Sequence, residues 1–247
     1  MRIIPIQHGV AVETPDATAI PIRHVIGIGL NYKAHADEQG STLPEHPLVF
    51  TKNPAACTVD GADIVVPKPC QDEATGGGGN GRSRGQVDWE AELAVVIGAP
   101  AKDVAEDDAL SYVLGYCCAN DVSARWWQKK GSGGQFNRGK SFDTFCPLGP
   151  ALVPAGEVAD PQALRVRSRV NGETMQDGTT ADMIFPVATL ISMLSQGTTI
   201  LPGTAILTGT PSGVGMARDP KIFLQHGDTV EIDIDGIGAL TNTVRFA

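Results

Sequence analysis

The 247-residue sequence has no apolar run approaching the roughly 20 residues that a transmembrane helix requires. Its first residues, MRIIPIQHGV, lack both the apolar core of a signal peptide and the Arg-rich amphipathic pattern of an organelle-targeting segment. These absences predict a cytoplasmic protein that acts neither in a membrane nor outside the cell.

Cysteine is scarce and is not arranged for metal binding or redox chemistry. The five cysteines are odd in number and none forms a CxxC pair. This pattern favours buried free thiols in a reducing compartment, with a catalytic thiol as the lesser alternative. The residues are Cys57, Cys70, Cys117, Cys118 and Cys146.

Positive charge is also in deficit, since 19 Lys and Arg face 28 Asp and Glu, a formal net charge of -9. Such a surface argues against nucleic acids and anionic membranes as partners. It leaves room for a small anionic substrate, because a few local cations can override the global field. With 42% hydrophobic residues the chain can bury a sizeable core, in one large β-rich domain or two small ones.

Strand patterns dominate what is present. They are β-branched or alternating runs bounded by turn residues, at 24–30, 47–52, 62–67, 87–98, 164–170, 198–209 and 228–244. Helical patterns occupy 103–116 and 185–197. Because strands and helices do not alternate regularly, we predict an α+β fold, mostly β, with a curled and largely antiparallel sheet. The Gly-rich stretch at 71–86 is predicted to be a flexible surface loop. A phosphate-binding loop is the alternative for this stretch, but no strand before it and no helix after it supports that interpretation.

The segment VDWEAELAVVIG carries three acidic residues at alternating positions. On one strand, Asp88, Glu90 and Glu92 would share a face about 7 Å apart, close enough for two to bind one hard cation. The default for such alternation is a solvated face, as expected for Glu231 and Asp233 in DTVEIDIDG. LAVVIG, however, is continuously apolar, so the first strand enters a core where carboxylates need compensation.

Two further segments could carry chemistry. Asp121 in GYCCANDVSAR could be a third oxygen ligand, although its position before VSARWWQKK favours the N-cap of a short helix. His35 and Glu38 have the i, i+3 spacing of one helical face, where a carboxylate could orient an imidazole acting as a general base. A surface His and Glu with no catalytic task would have the same spacing.

GQFNRGKS at 134–141 matches the letters of a phosphate-binding loop. That loop needs a hydrophobic strand before it and a helix after it, and here QKKGSGG precedes it while three Pro and Gly residues soon follow. We therefore predict no nucleotide hydrolysis and interpret Lys140 as a lone cation for a carboxylate or an oxyanion. TGTPSGVG at 208–215 could direct backbone N–H groups at an anion, or could be a plain turn.

In order along the chain, these segments resemble the fumarylacetoacetate hydrolase family, in its short fumarylacetoacetate-hydrolase-domain-containing branch. The matching segments are GLNYKAHADE, PLVFTK, VDWEAELAVVIG, NDVSAR, KSFDTFCPLGP, VNGE, ILTGTPSGVG and GD-x-VE. Together they cover about residues 24 to 244. The resemblance implies a mixed β-roll at 24–247, preceded by a short N-terminal segment at 1–23, and assembly as a homodimer.

The resemblance also assigns residues. It implies a Mg²⁺ site (or Mn²⁺ or Ca²⁺) on Glu90, Glu92 and Asp121, which reverses the N-cap interpretation of Asp121. His35, Glu38 and Lys140 match the family's catalytic residues. Positions that touch substrate in relatives, or lie near it, correspond to Lys52, Arg125, Gln128 and Thr210.

The implied activity is hydrolysis of a C–C bond in acylpyruvate-like 2-oxo or 1,3-dicarbonyl acids, through a metal-bound enolate. Tautomerisation or decarboxylation of oxaloacetate on the same site is the alternative, and a catalytically silent metal-binding or scaffold protein is a third class. Three features depart from the family pattern: Trp126 replaces a frequent acidic residue, the loop at 71–86 is long, and the segment before His24 is short.

Overall fold

The structure is a computed structural model that describes residues 1–71 and 85–247. Seventeen strands and three α-helices are found in these residues. The strands are β1 (Arg2–Ile6), β2 (Gly9–Glu13), β3 (Ala19–Pro21), β4 (His24–Gly29), β5 (Leu48–Lys52), β6 (Cys57–Val59), β7 (Asp63–Val66), β8 (Val87–Asp88), β9 (Ala91–Ile97), β10 (Val113–Asn120), β11 (Ser123–Ala124), β12 (Cys146–Pro154), β13 (Arg165–Val170), β14 (Glu173–Thr179), β15 (Thr204–Leu207), β16 (Thr229–Ile234) and β17 (Gly238–Phe246). The α-helices are α1 (Lys33–Glu38), α2 (Phe136–Lys140) and α3 (Val187–Ser195).

The strands form one large and one smaller mixed sheet, and two short strands pair with each other as a separate ribbon. The ten-stranded sheet runs in the order β3-β2-β1-β12-β10-β9-β15-β4-β5, with β6 paired to β12. The five-stranded sheet has the order β14-β13-β16-β17-β7, and β8 pairs with β11. Most pairs are antiparallel, while β15–β4, β12–β6 and β17–β7 are parallel. The predicted α+β, mostly β, class is confirmed.

Strand β9 lies at the centre of the large sheet and is buried on both faces. Leu93 and Val95 belong to one hydrophobic core, whereas Ala94 and Val96 belong to the other. Burial on both faces explains why LAVVIG is continuously apolar rather than alternating. The carboxylates that precede this run are consequently carried into the interior.

Two predicted elements differ from the observed ones. The stretch 103–116 was expected to be one helix, but it contains a 3₁₀ helix over Glu106–Tyr112 and then the start of β10. Pairing of β10 with β9 and β12 on its two edges overrides the local helical pattern. The predicted loop at 71–86 lies outside the described residues except at its two ends.

Several other sequence signals agree with the structure. Asn171 and Gly172 both have positive φ in the β13–β14 hairpin, at 52° and 82°, as a tight primed turn requires. Strands β1 to β3, from the predicted N-terminal segment, join the large sheet through β12. All five cysteines are free and buried, as predicted. Among the described residues, every helix is too short or too polar to cross a bilayer.

Candidate active site

The acidic strand of the sequence analysis is two strands with a break between them. β8 ends at Asp88 and β9 begins at Ala91, so Trp89 and Glu90 form a link between the ribbon and the large sheet. The prediction that Asp88, Glu90 and Glu92 share one face of one strand is therefore wrong for Asp88. Its carboxylate instead accepts hydrogen bonds from the backbone N–H groups of Trp89, Gly215 and Met216, at 2.9, 2.8 and 3.0 Å.

Glu90 and Glu92 do converge, and Asp121 joins them. Ligand oxygens of the three carboxylates all lie within 4.8 Å of one another, and all three residues are buried. Asp121 is brought there by the end of β10, where its backbone N–H donates to Glu90 O at 3.0 Å. The Glu92 carboxylate is oriented by the backbone N–H of Gly209, at 2.7 Å.

Two buried lysines lie against this carboxylate cluster. Lys140, at the end of α2, donates to Glu90 Oε2 at 2.8 Å, to Asp121 Oδ2 at 2.6 Å and to Ser123 Oγ at 2.7 Å. Lys52, at the end of β5, donates to the other oxygen of Asp121. An ammonium has three protons to donate, so the donor capacity of Lys140 is fully used within the protein.

Glu90 and Asp121 each form ion pairs with a lysine or an arginine, whereas the ion pairs found among the described residues include none with Glu92. Burial raises the pKa of Glu92 well above its ordinary value, and repulsion from Asp121 and Glu90 raises it further. Burial also opposes ionisation of Glu90, but Lys140 and Arg125 hold its pKa below the ordinary value. The pKa of Lys140 is raised, because attraction to Asp121 and Glu90 outweighs the effect of burial.

This donor set fits a hard divalent cation. Carboxylate oxygens are the ligands that Mg²⁺, Mn²⁺ and Ca²⁺ prefer, whereas Zn²⁺ sites draw on His and Cys. After burial, repulsion from Asp121 and Glu90 is the next cause of the raised pKa of Glu92, and Lys140 offsets it only in part. A divalent ion between the three carboxylates would remove it.

Arg125 connects the cluster to Asp88. Its Nε donates to Asp88 Oδ2 at 2.9 Å, and its Nη1 donates to Glu90 Oε1 at 2.6 Å and to Gln128 Oε1 at 3.1 Å. Gln128 is carried by a π-helical turn at Trp127–Gly131, which packs against Gly139 so tightly that a Cβ there would lie 2.4 Å from Gln128 N. Arg125 is only 3% exposed, so Asp88 is the anchor of a buried cation.

Asp88→Asn is expected to destabilise the protein by about 3–5 kcal/mol, because it leaves the buried Arg125 guanidinium short of a counter-ion. Urea unfolding followed by circular dichroism measures this. Asp63→Asn is the matched control, since Asp63 pairs at 3.4 Å with Arg245 on the surface, where a pair contributes about 1 kcal/mol or less. Equal losses for the two variants would contradict the anchoring role of Asp88.

The His35–Glu38 pair is formed on the short helix α1. His35 Nδ1 lies 3.2 Å from Glu38 Oε2, and the second Glu38 oxygen accepts from Gly213 N–H at 2.9 Å. His35 is 3% exposed, so it is not a surface residue without partners. Its Nε2 lies 2.8 Å from the Gln39 amide nitrogen. That contact makes Nε2 an acceptor and places the ring proton on Nδ1, toward Glu38.

A pocket of about 490 Å³ brings most of these groups together. Its lining residues include predicted site residues from five separate segments, namely His35, Glu90, Glu92, Arg125, Gln128, Lys140 and Thr210. Lys52, Asp121 and Glu38 are not part of this lining, and of the three Lys52 and Asp121 are buried whereas Glu38 is exposed. The Thr210 hydroxyl is held in the wall, since it donates to Ala91 O at 2.8 Å and accepts from Gln176 Nε2 at 2.7 Å.

Two alternatives from the sequence do not hold. Asp121 is not a helix N-cap, because strand β11 follows it and its carboxylate accepts from Lys52 and Lys140. The GQFNRGKS segment follows a helical turn instead of a strand, and its lysine is buried against carboxylates. By contrast, Glu231 and Asp233 lie on a partly exposed face, as expected, where they pair with Arg167 and Arg169 of β13.

Sequence reasoning missed three contributors to the site. Ser123 is a direct partner of Lys140, Gln39 contacts His35, and Asn31 ties the start of α1 to Thr208 O at 2.8 Å and Phe185 O at 3.0 Å. Ser123 and Gln39 are each close in sequence to a predicted residue, which was the available signal. Asn31 had none, because both of its partners are more than 150 residues away.

Comparison with known proteins gives consistent results along most of the chain. The family model fumarylacetoacetate (FAA) hydrolase C-terminal matches residues 24–245. Oxaloacetate tautomerase YisK of Bacillus subtilis is 46% identical over 226 residues, which are 91% of this chain and 70% of that protein. The mitochondrial oxaloacetate tautomerase fahd2 of Xenopus laevis is 44% identical over 220 residues, and the match spans 89% of this chain but only 65% of that relative.

A solved structure matches over the full length. Fumarylpyruvate hydrolase from Pseudomonas aeruginosa, in complex with Mn²⁺ and pyruvate, superposes with a TM-score of 0.81 over 99% of both chains, at 28% identity. The resemblance noted in the sequence and the predicted β-roll are thereby confirmed. The chain belongs to the fumarylacetoacetate hydrolase family of enzymes.

Proposed function

We propose that this enzyme interconverts the enol and keto forms of oxaloacetate, with a divalent cation held by Glu90, Glu92 and Asp121. The observation that carries the proposal is the placement of His35 and two of these carboxylates, Glu90 and Glu92, in the wall of one pocket. Relatives named as oxaloacetate tautomerases, up to 46% identical, support this reaction. They favour it over the C–C hydrolysis that we placed first from the sequence.

His35 is the proposed base. With its Nδ1 proton directed to Glu38, the Nε2 lone pair is available once Gln39 moves aside. His35 would take a proton from C3 of the keto form and return one to the oxygen on C2, so no water is consumed and no C–C bond breaks. A bound divalent cation supplies Lewis acidity, which makes that C3 proton easier to remove.

The remaining charges suit a dianionic substrate. Four carboxylates, Asp88 included, and three cations are linked in the cluster, which therefore has one excess negative charge. A divalent cation would leave one excess positive charge. We assign Arg125 to the substrate carboxylate, because it lines the pocket and is oriented by Asp88 and Gln128.

Lys140 lines the pocket too, but its three donor positions are already engaged. It would act on a developing oxyanion through its positive charge instead of a direct hydrogen bond. Lys52 lies behind Asp121 and lines no part of the pocket. We therefore assign it to holding Asp121 and not, as the resemblance suggested, to holding the substrate.

Hydrolysis of an acylpyruvate is the second candidate. It is favoured by the full-length likeness to fumarylpyruvate hydrolase. The same His35 would then remove a proton from water, and the resulting hydroxide would attack the distal carbonyl carbon, releasing a carboxylic acid and a 2-oxo acid. The difference between the candidates is whether a water molecule is consumed.

A proton NMR time course with Mg²⁺ separates these reactions. Enolic oxaloacetate and an acylpyruvate are each followed with enzyme, with Mg²⁺ alone and with enzyme plus chelator. We expect enzyme and metal together to accelerate loss of the enol signal beyond Mg²⁺ alone, with the acylpyruvate unchanged. Cleavage of the acylpyruvate would instead establish the hydrolase, and pyruvate formed from oxaloacetate would establish a decarboxylase. No effect on either would leave the family membership standing and the proposed activity wrong.

We further propose that Mg²⁺ is the native ion, that the enzyme is a homodimer, and that it acts in the cytoplasm. Oxygen-only ligation supports Mg²⁺, although the bound ion named for a relative is Mn²⁺. Five buried free thiols are consistent with a reducing compartment. The relatives include both mitochondrial and bacterial proteins. Sedimentation at micromolar concentration tests the dimer.

A further inference from the structure

Two of the buried cysteines face each other across neighbouring strands. Cys57 begins β6 and Cys146 begins β12, and the parallel register of these strands places the two residues directly opposite each other. Both belong to the hydrophobic core that also contains Ala94 and Val96, so their side chains point to the same face of the sheet. The chemistry proposed above uses neither thiol.

The two thiols interact in the reduced protein. A hydrogen bond with Cys57 is the first cause of a lowered pKa for Cys146, and the same contact, together with burial, raises the pKa of Cys57 well above its ordinary value. Cys146 therefore has the greater thiolate character, and the thiolate is the form that reacts with oxidants. Neighbouring strands lie about 4.8 Å apart, within the range of roughly 4.4–6.8 Å that a disulfide spans between Cα atoms.

Strand β6 is the less firmly held side of this pair. It has three residues and, among the described strands, it is hydrogen-bonded to β12 alone. A short strand held on one edge opens locally at a smaller cost than a central strand does. Cys57 is 6% exposed and Cys146 is fully buried, so the pair is shielded at rest and meets solvent when β6 opens.

The two cysteines closely follow the two lysines that hold Asp121. Lys52 precedes Cys57 by five residues, and Lys140 precedes Cys146 by six. The two lysines donate to opposite oxygens of the Asp121 carboxylate. A displacement of both cysteines therefore reaches both partners of Asp121 through short segments of chain.

These two segments are also linked to each other. Asn53 N–H donates to Ser141 Oγ at 2.9 Å, and each of these residues directly follows one of the lysines. A disulfide needs its Cβ atoms about 3.8 Å apart, roughly 1 Å less than the spacing of neighbouring strands. Formation of the bond would draw the two strands together, and the lysine-bearing segments with them.

We propose that Cys57 and Cys146 are a dithiol modification site, at which a peroxide forms a reversible disulfide that weakens binding of the divalent cation. The Cys146 thiolate attacks one peroxide oxygen, which breaks the O–O bond and forms a sulfenic acid. The Cys57 sulfur then attacks the Cys146 sulfur, and water leaves. Two electrons pass from the thiols to the peroxide, so hydrogen peroxide yields one disulfide and two water molecules. The effect on the cation rests on the metal site of the proposed function.

Peptide mapping of the full-length wild-type protein after treatment with hydrogen peroxide tests the modification. We expect two of the five free thiols to be lost and a pair of peptides to be joined through Cys57 and Cys146. Dithiothreitol should reverse both changes. A linkage through Cys117 or Cys118, retention of all five thiols, or oxidation of Cys146 without a linked peptide would each overturn the proposal.

Calorimetric titration with Mg²⁺ measures the consequence. The oxidised protein should bind Mg²⁺ about tenfold more weakly than the reduced protein, or weaker still, which is the usual cost of disturbing a group that orients a metal ligand. Dithiothreitol should restore the affinity. An unchanged Mg²⁺ affinity in protein that carries the mapped disulfide would refute the effect on the metal site.

Cys57→Ala and Cys70→Ala are a matched pair of buried variants. The Mg²⁺ affinity of Cys57→Ala should no longer respond to peroxide, because Cys146 has lost its partner thiol. Cys70→Ala should respond as the wild type does, since Cys70 belongs to the other hydrophobic core. A peroxide response that persists in Cys57→Ala would exclude this pair, and the mapping on wild-type protein decides the disulfide even if a variant folds poorly. Reduced wild-type protein that binds no Mg²⁺ would reject the metal site itself, whereas a missing linked peptide would reject the disulfide alone.

Discussion

Glu92→Gln is expected to abolish metal-dependent turnover and, at the same time, to make the metal-free protein more resistant to heat. Turnover should fall about 10³-fold or more, since a Lewis-acidic ion supplies several kcal/mol of stabilisation to the transition state. Stability should rise because the substitution removes one of three mutually repelling carboxylates while keeping the side-chain shape. Relief of roughly 1 kcal/mol corresponds to about 2–4 °C in melting temperature for a protein of this size.

The sign of the pH dependence follows from the raised pKa of Glu92. At a pH below the ordinary pKa of a glutamate, the Glu92 carboxyl is protonated in both the folded and the unfolded protein, and the substitution changes the stability little. As the pH rises above that value, folding opposes ionisation and the wild-type protein loses stability that the Gln variant keeps. The gain should therefore be larger at about pH 8 than at about pH 5.

Thermal melts with and without Mg²⁺ measure both halves of this expectation. Wild-type protein should gain stability with Mg²⁺, and Glu92→Gln should gain none. Glu231→Gln is the control, because it removes a strand carboxylate that pairs with Arg169 at the surface, and it should leave turnover and the Mg²⁺ response unchanged. Full turnover in Glu92→Gln, or in wild-type protein after exhaustive chelation, would refute the metal site.

His35→Ala should lower the rate of oxaloacetate tautomerisation by about 10²–10⁴-fold, the usual contribution of a positioned general base. Glu38→Gln should lose less, because an amide oxygen can still accept the His35 Nδ1 proton. The melting-temperature increase with Mg²⁺ should persist in both variants, since neither residue belongs to the carboxylate cluster. His226→Ala is the matched control on an exposed histidine outside the pocket.

Stopped-flow measurement of enol loss gives these rates directly. The two readouts, the melting-temperature increase with Mg²⁺ and the rate of enol loss, should separate the variants. His35→Ala should still bind the metal but should lose turnover, whereas Glu92→Gln should lose both metal binding and turnover. Wild-type rates in His35→Ala would exclude it as the base for this reaction. An equal loss of rate in His226→Ala would indicate that the effect comes from a general loss of structure.

The sheet framework followed from local patterns because strand, turn and burial signals agreed with one another. The uniform apolar run in β9 indicated burial on both faces, and Asn171-Gly172 placed a hairpin correctly. The helix expected at 103–116 failed because β10 is held by neighbours on two sides, and no local pattern reveals a pairing of that kind.

The candidate site was only partly readable for the same reason. Alternation of acidic residues indicated Glu90 and Glu92 correctly, but it also placed Asp88 on the same face. That placement is wrong because the strand is interrupted for two residues, and the interruption changes the direction of the Asp88 side chain. Capping frequency alone pointed to a helix N-cap at Asp121, where the structure has a strand instead, and the metal-ligand role implied by the family resemblance stays a prediction. The engagement of Lys140 by three partners and the position of Lys52 behind Asp121 depend on contacts between distant segments.

The continuous chain of buried ion pairs from Asp88 to Lys52 has a consequence for how this sequence can drift over generations. The chain passes from Asp88 through Arg125, Glu90, Lys140 and Asp121. Asp88 and Lys52, at the two ends, have one charged partner each, so losing Arg125 strands Asp88 and losing Asp121 strands Lys52 as unpaired buried charges, which is costly. Neutral drift at Arg125 and Asp121 is therefore blocked one residue at a time, and a lineage can change either of them only by replacing its end partner at the same time.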